Sequence, residues 1–139
     1  MFTKILVPVD LADPEHYTSA VKSAGDMARQ YGAELRLVTV VAPVQPTVAH
    51  YLPADTHQKF IDEARTTLIE LAGDSGLAEK ASGTVREGNI YHEVLDEAEA
   101  FGADLIVMGS HRPGMSTYLL GSNAARIVRH ASCSVLVLR

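Results

Sequence analysis

Cysteine is almost missing: Cys133 stands alone among 139 residues, so no internal disulfide can form. Long apolar runs are missing too. The longest fall far short of the roughly 20 residues that span a bilayer, which argues against a membrane protein. The opening Met1-Phe2-Thr3-Lys4 enters a strand-like pattern at once, without the long apolar region and cleavage site of a secretory signal. Together these scarcities favour the cytoplasm. Basic residues are outnumbered, 12 Lys and Arg against 17 Asp and Glu, for a net charge of −5. An acidic body of this kind argues against a general nucleic-acid binder, which needs a basic stripe. There is no Gly-Lys-Ser/Thr ending of a Walker loop, and no His/Cys/carboxylate spacing that suggests a zinc site. Ser110 and His111 are sequence neighbours, a weak signal for a nucleophile and its base, and no better pair stands out.

What is there is ordinary for a globular chain: 47% hydrophobic and 21% charged residues. Its length suits a single domain over residues 1–139, able to bury roughly 70% of its unfolded surface. The charge is unevenly placed. Residues 105–139 contain Arg112, Arg126, Arg129 and Arg139 and no Asp, Glu or Lys, giving +4 there and −9 over the first 104 residues. A locally basic segment on an acidic body suits a small phosphorylated ligand.

The chain turns on LIVMGSHRPGMSTYLLGSN, residues 105–123. Leu105-Ile106-Val107-Met108 is long enough for a strand buried on both faces and stops at Gly109. A helical pattern starts at Gly121-Ser122-Asn123. Strand, glycine loop and helix start form an arrangement suited to phosphate: the first helical N–H groups have no intrahelical partner, and the helix dipole adds partial positive charge. Gly109 and Gly121 lack a Cβ and would let a ligand approach the backbone. Ser110, Ser116, Thr117 and Ser122 supply hydroxyls, and His111 and Arg112 supply charge or charge-assisted donors. The plainer alternative is a strand-to-helix connection capped by Ser122.

Elsewhere the chain alternates strands and helices. Residues 4–10 (KILVPVD) read as a buried strand whose Pro8, lacking an N–H, belongs at its carboxyl end. Asp10 follows, either as a turn residue or as an acceptor for a ribose hydroxyl or adenine amino group, or as help in holding a metal. Asp13-Pro14-Glu15 opens a helix, with Tyr17, Ala20, Val21, Ala24, Met27, Ala28 and Tyr31 on one face and Gly32 closing it. Residues 33–41 form the second strand. Residues 42–55 carry three prolines and no period, a length of connection that suits a lid or binding loop; His50 and Tyr51 could contact a ligand there. A second helix covers residues 56–72, with Phe60, Ile61, Ala64, Leu68, Leu71 and Ala72 inward and Gly73 ending it. Residues 81–87 form a weak third strand suited to an edge. A third helix buries Tyr91, Val94, Leu95, Ala98 and Phe101 and closes at Gly102. The fourth, residues 121–130, buries Ala124, Ile127 and Val128, and residues 134–138 form the last strand. His16, His57 and His92 read as helix-surface residues, and His130 as a complement to a helix dipole. Cys133 reads as a small buried hydrophobe.

The β-α-β-α-β-α-β-α-β order implies an α/β fold: a five-stranded parallel sheet with helices on both faces and right-handed crossovers. Ligands of such sheets bind beyond the carboxyl ends of the strands, where the strand order reverses. Pro8-Val9-Asp10 and Met108-Gly109-Ser110 both end strands there. If the first and fourth strands are neighbours the two motifs meet, an adjacency the pattern permits without forcing.

Over its whole length the chain resembles the universal stress protein family, through KILVPVD, GADLIVMGSH and LLGSNAARIVRHASCSVLVLR. The signature of that family's ATP-binding members is Gly-x-x-Gly, nine residues, then Gly-Ser or Gly-Thr. Gly109 matches its first position and Gly121-Ser122 its last pair. Arg112 replaces the second glycine, and eight residues separate it from Gly121. The wording SHRPGMSTYLLGSN is similar to a branch of compact single-domain members. The resemblance implies a Rossmann-like fold of the adenine nucleotide alpha hydrolase type, with strand order 3-2-1-4-5. It places adenine against Val9, Val40 and Met108, with Pro8 and Asp10 at that end. Ribose and phosphates fall to Gly109, His111, Arg112, Gly121, Ser122 and Asn123, in a loop that includes Ser110. It implies ATP, with Mg²⁺ on the phosphates and few protein ligands of its own, and a homodimer through Ser134–Leu138, since a short apolar terminal edge needs pairing.

The expected function is therefore an ATP-binding regulatory dimer active in stress. The alternative on the same site is a slow ATPase or self-phosphorylating enzyme, with Ser116, Thr117 or Ser122 as acceptor. Asp10-Leu11-Ala12-Asp13 lacks the Ser/Gly-rich loop of pyrophosphate-releasing ATP enzymes. A phospho-receiver domain is disfavoured, because the third strand ends Arg86-Glu87-Gly88 and no lysine follows the fifth.

Overall fold

The computed structural model describes residues 1–110 and 121–139. The order is β1 (Lys4–Pro8), α1 (Pro14–Tyr31), β2 (Glu34–Val41), α2 (Pro46–Ala49), α3 (Thr56–Asp74), β3 (Ala81–Glu87), α4 (Ile90–Phe101), β4 (Leu105–Gly109), α5 (Ser122–His130) and β5 (Ser134–Leu138). All strand pairs are parallel, in the order β3-β2-β1-β4-β5. The chain winds outward from β1 to β3, then returns to the other side of β1 for β4 and β5. The order therefore reverses between β1 and β4.

Alternation along the strands separates two cores. Ile5, Val7, Val9, Leu35, Leu37, Leu105 and Val107 face α1 and α3, where Ala20, Ala24, Ala28 and Leu68 are buried. Leu6, Val38, Ile106 and Met108 face α4 and α5, meeting Val94, Ala98, Ala124 and Ile127. The small alanines of α1 let that helix lie close to the sheet. One buried charge breaks the apolar pattern. Glu97, 4% exposed, accepts from Arg36 at 3.3 Å and from Arg86 at 3.1 Å, while Arg86 also donates to Glu93 at 3.1 Å. This network fixes α4 against β2 and β3. At the amino end of the sheet, the Asp104 carboxylate accepts from the Thr3 and Lys4 N–H groups and the Thr3 hydroxyl.

Several local expectations change. Gly32 and Gly102 close α1 and α4 in the left-handed conformation, at φ 67° and 76°, as read. Asp13 stands at the N-cap of α1, but its side chain caps no backbone N–H and instead engages His16 Nδ1. Pro46 starts a one-turn helix inside residues 42–55. α3 runs past Gly73 to Asp74. Phe60 is 57% and Val128 45% exposed, each at the margin of its helix face and not on it. Cys133 is only half-buried. No helix among the described residues is long and apolar enough to cross a membrane.

Candidate functional site

Between β1 and β4 the ladder is registered at Ile5↔Leu105 and Leu6↔Ile106 only, whereas β1 and β2 pair over five positions. Beyond Leu6 and Ile106 the two central strands part, and a crevice opens at their carboxyl ends. Pro8 has no N–H with which to continue a ladder. Val9 stays aligned with β2 through its N–H, which donates to the Val38 carbonyl at 2.8 Å. The chain then turns. The Asp10 carbonyl accepts from the Asp13 N–H at 3.0 Å, and Asp10 Oδ1 accepts from the Ala12 N–H at 3.0 Å. Asp10 is thus a turn residue whose exposed carboxylate also stands at the crevice rim.

On the opposite wall, the N–H of Ser110 donates to the Leu138 carbonyl at 3.0 Å, continuing the β4–β5 ladder by one residue. Its side chain is buried, with the hydroxyl donating to the same carbonyl at 3.5 Å. Gly109 serves a purpose other than the one expected. A Cβ there would lie 2.6 Å from the His16 carbonyl oxygen, so the missing side chain makes room for the first turn of α1. Gly121 is buried and caps α5 in an extended conformation, φ −61° and ψ 155°. A glycine cap has no side chain with which to occupy the first-turn N–H groups.

These elements enclose a cavity of about 280 Å³. Of the residues expected at a binding site, Pro8, Val9, Asp10, Val40, Met108, Gly109, Ser110, Gly121 and Asn123 all line it. Ser122 does not. It is the first residue of α5, exposed, and the cap is Gly121. His111, Arg112, Ser116 and Thr117 lie outside the described residues. Val38, Ile90, Val94 and Ala124 add apolar wall, and Asp13, His16 and Tyr17 add a polar side from α1. Sequence reasoning missed this contribution of α1. Its signal was Asp13 three residues before His16, a spacing that puts both in one turn facing the end of β1. The hollow is thus apolar toward α4 and polar toward α1 and the β4–α5 side.

The remaining reactive groups lie elsewhere. A second hollow of about 230 Å³ lies between α1 and α3 beside Tyr17, Val21 and Leu71. Its rim charges Lys22 and Arg29 are already bonded to Asp26. Burial, with a smaller contribution from the charge of Asp104, raises the Cys133 thiol above its ordinary pKa, so it stays protonated and weakly nucleophilic. Among the described residues no group of three or more His, Cys, Asp or Glu side chains could hold a metal ion.

Comparison with known proteins agrees with this architecture. A solved universal stress protein UspA from Lactobacillus plantarum superposes with a TM-score of 0.80, at 26% identity over 99% of this chain and 97% of that one. A universal stress protein solved in complex with cAMP superposes at 0.71, with 24% identity over 99% and 97% of the two chains. Universal stress protein G of Salmonella typhimurium is 34% identical over 143 aligned positions that cover both chains entirely. The model of the universal stress protein family matches residues 1–139. A full-length match of that kind, joined to a full-length relative one-third identical, makes this chain a member of the universal stress protein family.

Proposed function

We propose that the crevice between β1 and β4 binds an adenine nucleotide, ATP carrying Mg²⁺ on its phosphates, and that occupancy sets the state of a regulatory dimer. One observation carries this reading: the ends of β1 and β4 and the start of α5 converge on one cavity where the strand order reverses. Val9, Val38, Val40, Met108, Ile90 and Val94 suit the flat apolar faces of a base. Asp10 is an acceptor at the rim, suited to a ribose hydroxyl or the adenine amino group. The polar end suits phosphate: Gly121 caps α5 without a side chain of its own, and Ser122 and Asn123 present first-turn N–H groups of α5. The metal belongs to the phosphates, since Mg²⁺ keeps most of its waters and takes few protein ligands. The fold holds a cyclic nucleotide in the relative described with cAMP.

The dimer reading rests on β5. It is an edge of the sheet, and Val135, Leu136, Val137 and Leu138 are only half-buried. Pairing with the same strand of a second copy would cover that edge.

A melt with and without Mg·ATP, with GTP as control, tests the nucleotide. At about 100 times the dissociation constant, ATP should add about 2.7 kcal/mol, or roughly 10 °C for a chain of this size. No shift with any adenine nucleotide overturns the reading. Steady phosphate release that Asp10→Ala abolishes would favour the slow-ATPase alternative.

A further inference from the structure

The connection between β2 and α3 stands off the fold. Every residue from 42 to 55 is exposed except Val44, which is half-buried. Its one-turn helix α2 closes on itself: Val48 and Ala49 donate to the Gln45 carbonyl, and Tyr51 donates to that of Val48. Three apolar side chains on this stretch still face solvent, with Leu52 38%, Val48 48% and Tyr51 89% exposed. Both roots of the connection are fixed beside the crevice. Val40, one residue before the end of β2, lines it. The Val41 carbonyl accepts at 3.0 Å from the N–H of Gly88, two residues before Ile90 in the same lining. At the other root His57, in the first turn of α3, bonds Glu87 at 2.9 Å. Ile90 itself is 47% exposed, so the apolar wall of the crevice runs out to solvent at this mouth.

We infer that residues 42–55 form a strap that closes over the base end of the crevice and lays the Tyr51 ring on the outer face of a bound purine. The inference rests on the adenine-nucleotide reading of the crevice. Val40, Ile90 and Val94 suit one face of a base held there, and its other face takes a flat apolar partner. Tyr51 lies ten residues beyond Val41 and five before Thr56. At up to about 3.3 Å per residue the shorter arm alone spans roughly 16 Å, which leaves the ring free to reach a mouth beside which both roots stand. Closure removes exposed Val48, Leu52 and Ile90 surface from water, which offsets the entropy lost in ordering the strap. Base–aromatic stacking at the lower end of its usual strength changes affinity about five- to tenfold.

The chain contains no tryptophan, so Tyr51→Trp places a single reporter on the strap. Mg·ATP is titrated into that variant, with occupancy followed separately by calorimetry. Binding should quench the tryptophan emission and reduce its access to acrylamide. Tyr51→Ala should weaken ATP about five- to tenfold, chiefly through faster release. Tyr51→Phe keeps the ring and should bind as the unaltered protein does. At 89% exposure the side chain supports no core, so all three variants should melt with the unaltered protein when no ligand is present. ATP binding that leaves the emission unchanged overturns the inference and leaves the nucleotide reading standing, as does unaltered affinity in Tyr51→Ala. An emission change that follows protein concentration and not ATP assigns the strap to a contact between copies, and also overturns it. Failure of the unaltered protein to bind any adenine nucleotide overturns both.

Discussion

Replacing Gly109 with alanine places a methyl carbon 2.6 Å from the His16 carbonyl oxygen and 3.6 Å from its carbonyl carbon. The obstacle is helix backbone, which cannot rotate away as a side-chain tip would. The first turn of α1 must retreat by about 0.4 Å merely to reach 3.0 Å, and further for an ordinary contact. α1 has little room to do so, because Ala20, Ala24 and Ala28 are fully buried against the strands. A gap of 0.5–1 Å forfeits roughly a quarter to a half of each contact's attraction, and overpacking of this kind costs about 1–3 kcal/mol. Gly109→Ala should therefore lose about 2 kcal/mol and lower Tm by roughly 6–10 °C. Urea unfolding followed by circular dichroism would show a lower midpoint at unchanged slope. Gly73→Ala is the control. It lies in α3, where an added Cβ would meet nothing within 4 Å, so it should gain about 0.5 kcal/mol from helix propensity alone. A loss below about 0.5 kcal/mol for Gly109→Ala would refute the argument that α1 rests on that glycine.

Burial pushes the Asp104 carboxyl pKa up, but the Lys4 and Thr3 N–H groups and the Thr3 hydroxyl outweigh it, so the folded value lies below the ordinary one. Its contribution is present above the ordinary carboxylate range, near pH 4, and disappears as pH falls through the depressed folded value. Asp104→Asn should cost about 1 kcal/mol at pH 7, discounted for solvent screening, with the gap closing as pH falls through that depressed value; parallel stability curves would contradict this. Removing Glu97 leaves Arg36 and Arg86 half-buried without their shared acceptor, so Glu97→Ala should lose about 3 kcal/mol by urea unfolding. A loss under about 1 kcal/mol would show that solvent already screens the network.

The order of elements was legible because turn chemistry and periodicity agree in this chain. Asp13-Pro14 and Gly32 bracket α1, Gly102 closes α4, and Pro8 ends β1. The adjacency of β1 and β4 was not legible from local pattern, since a strand's partner depends on the crossover its helix makes; resemblance supplied it. Phe60 and Val128 were misplaced because a helical repeat tolerates one extra position at the margin of its apolar face, and the available neighbours decide which is covered. Gly109 was read as space for a ligand, when the same missing Cβ could equally admit a helix. His16 escaped notice because a polar residue in a first turn is usually solvated. Only the arrival of Asp10 and Gly109 on the same side makes it part of a wall.

The central pair of strands behaves like a clothes-peg. At one end Asp104 clips Thr3 and Lys4, and its own N–H donates to the Lys4 carbonyl at 3.0 Å. Two registered positions later the strands are no longer paired, and the jaws hold the crevice. The carboxylate that ties the two strands together thus stands at the end remote from the crevice, and takes no part in its described lining.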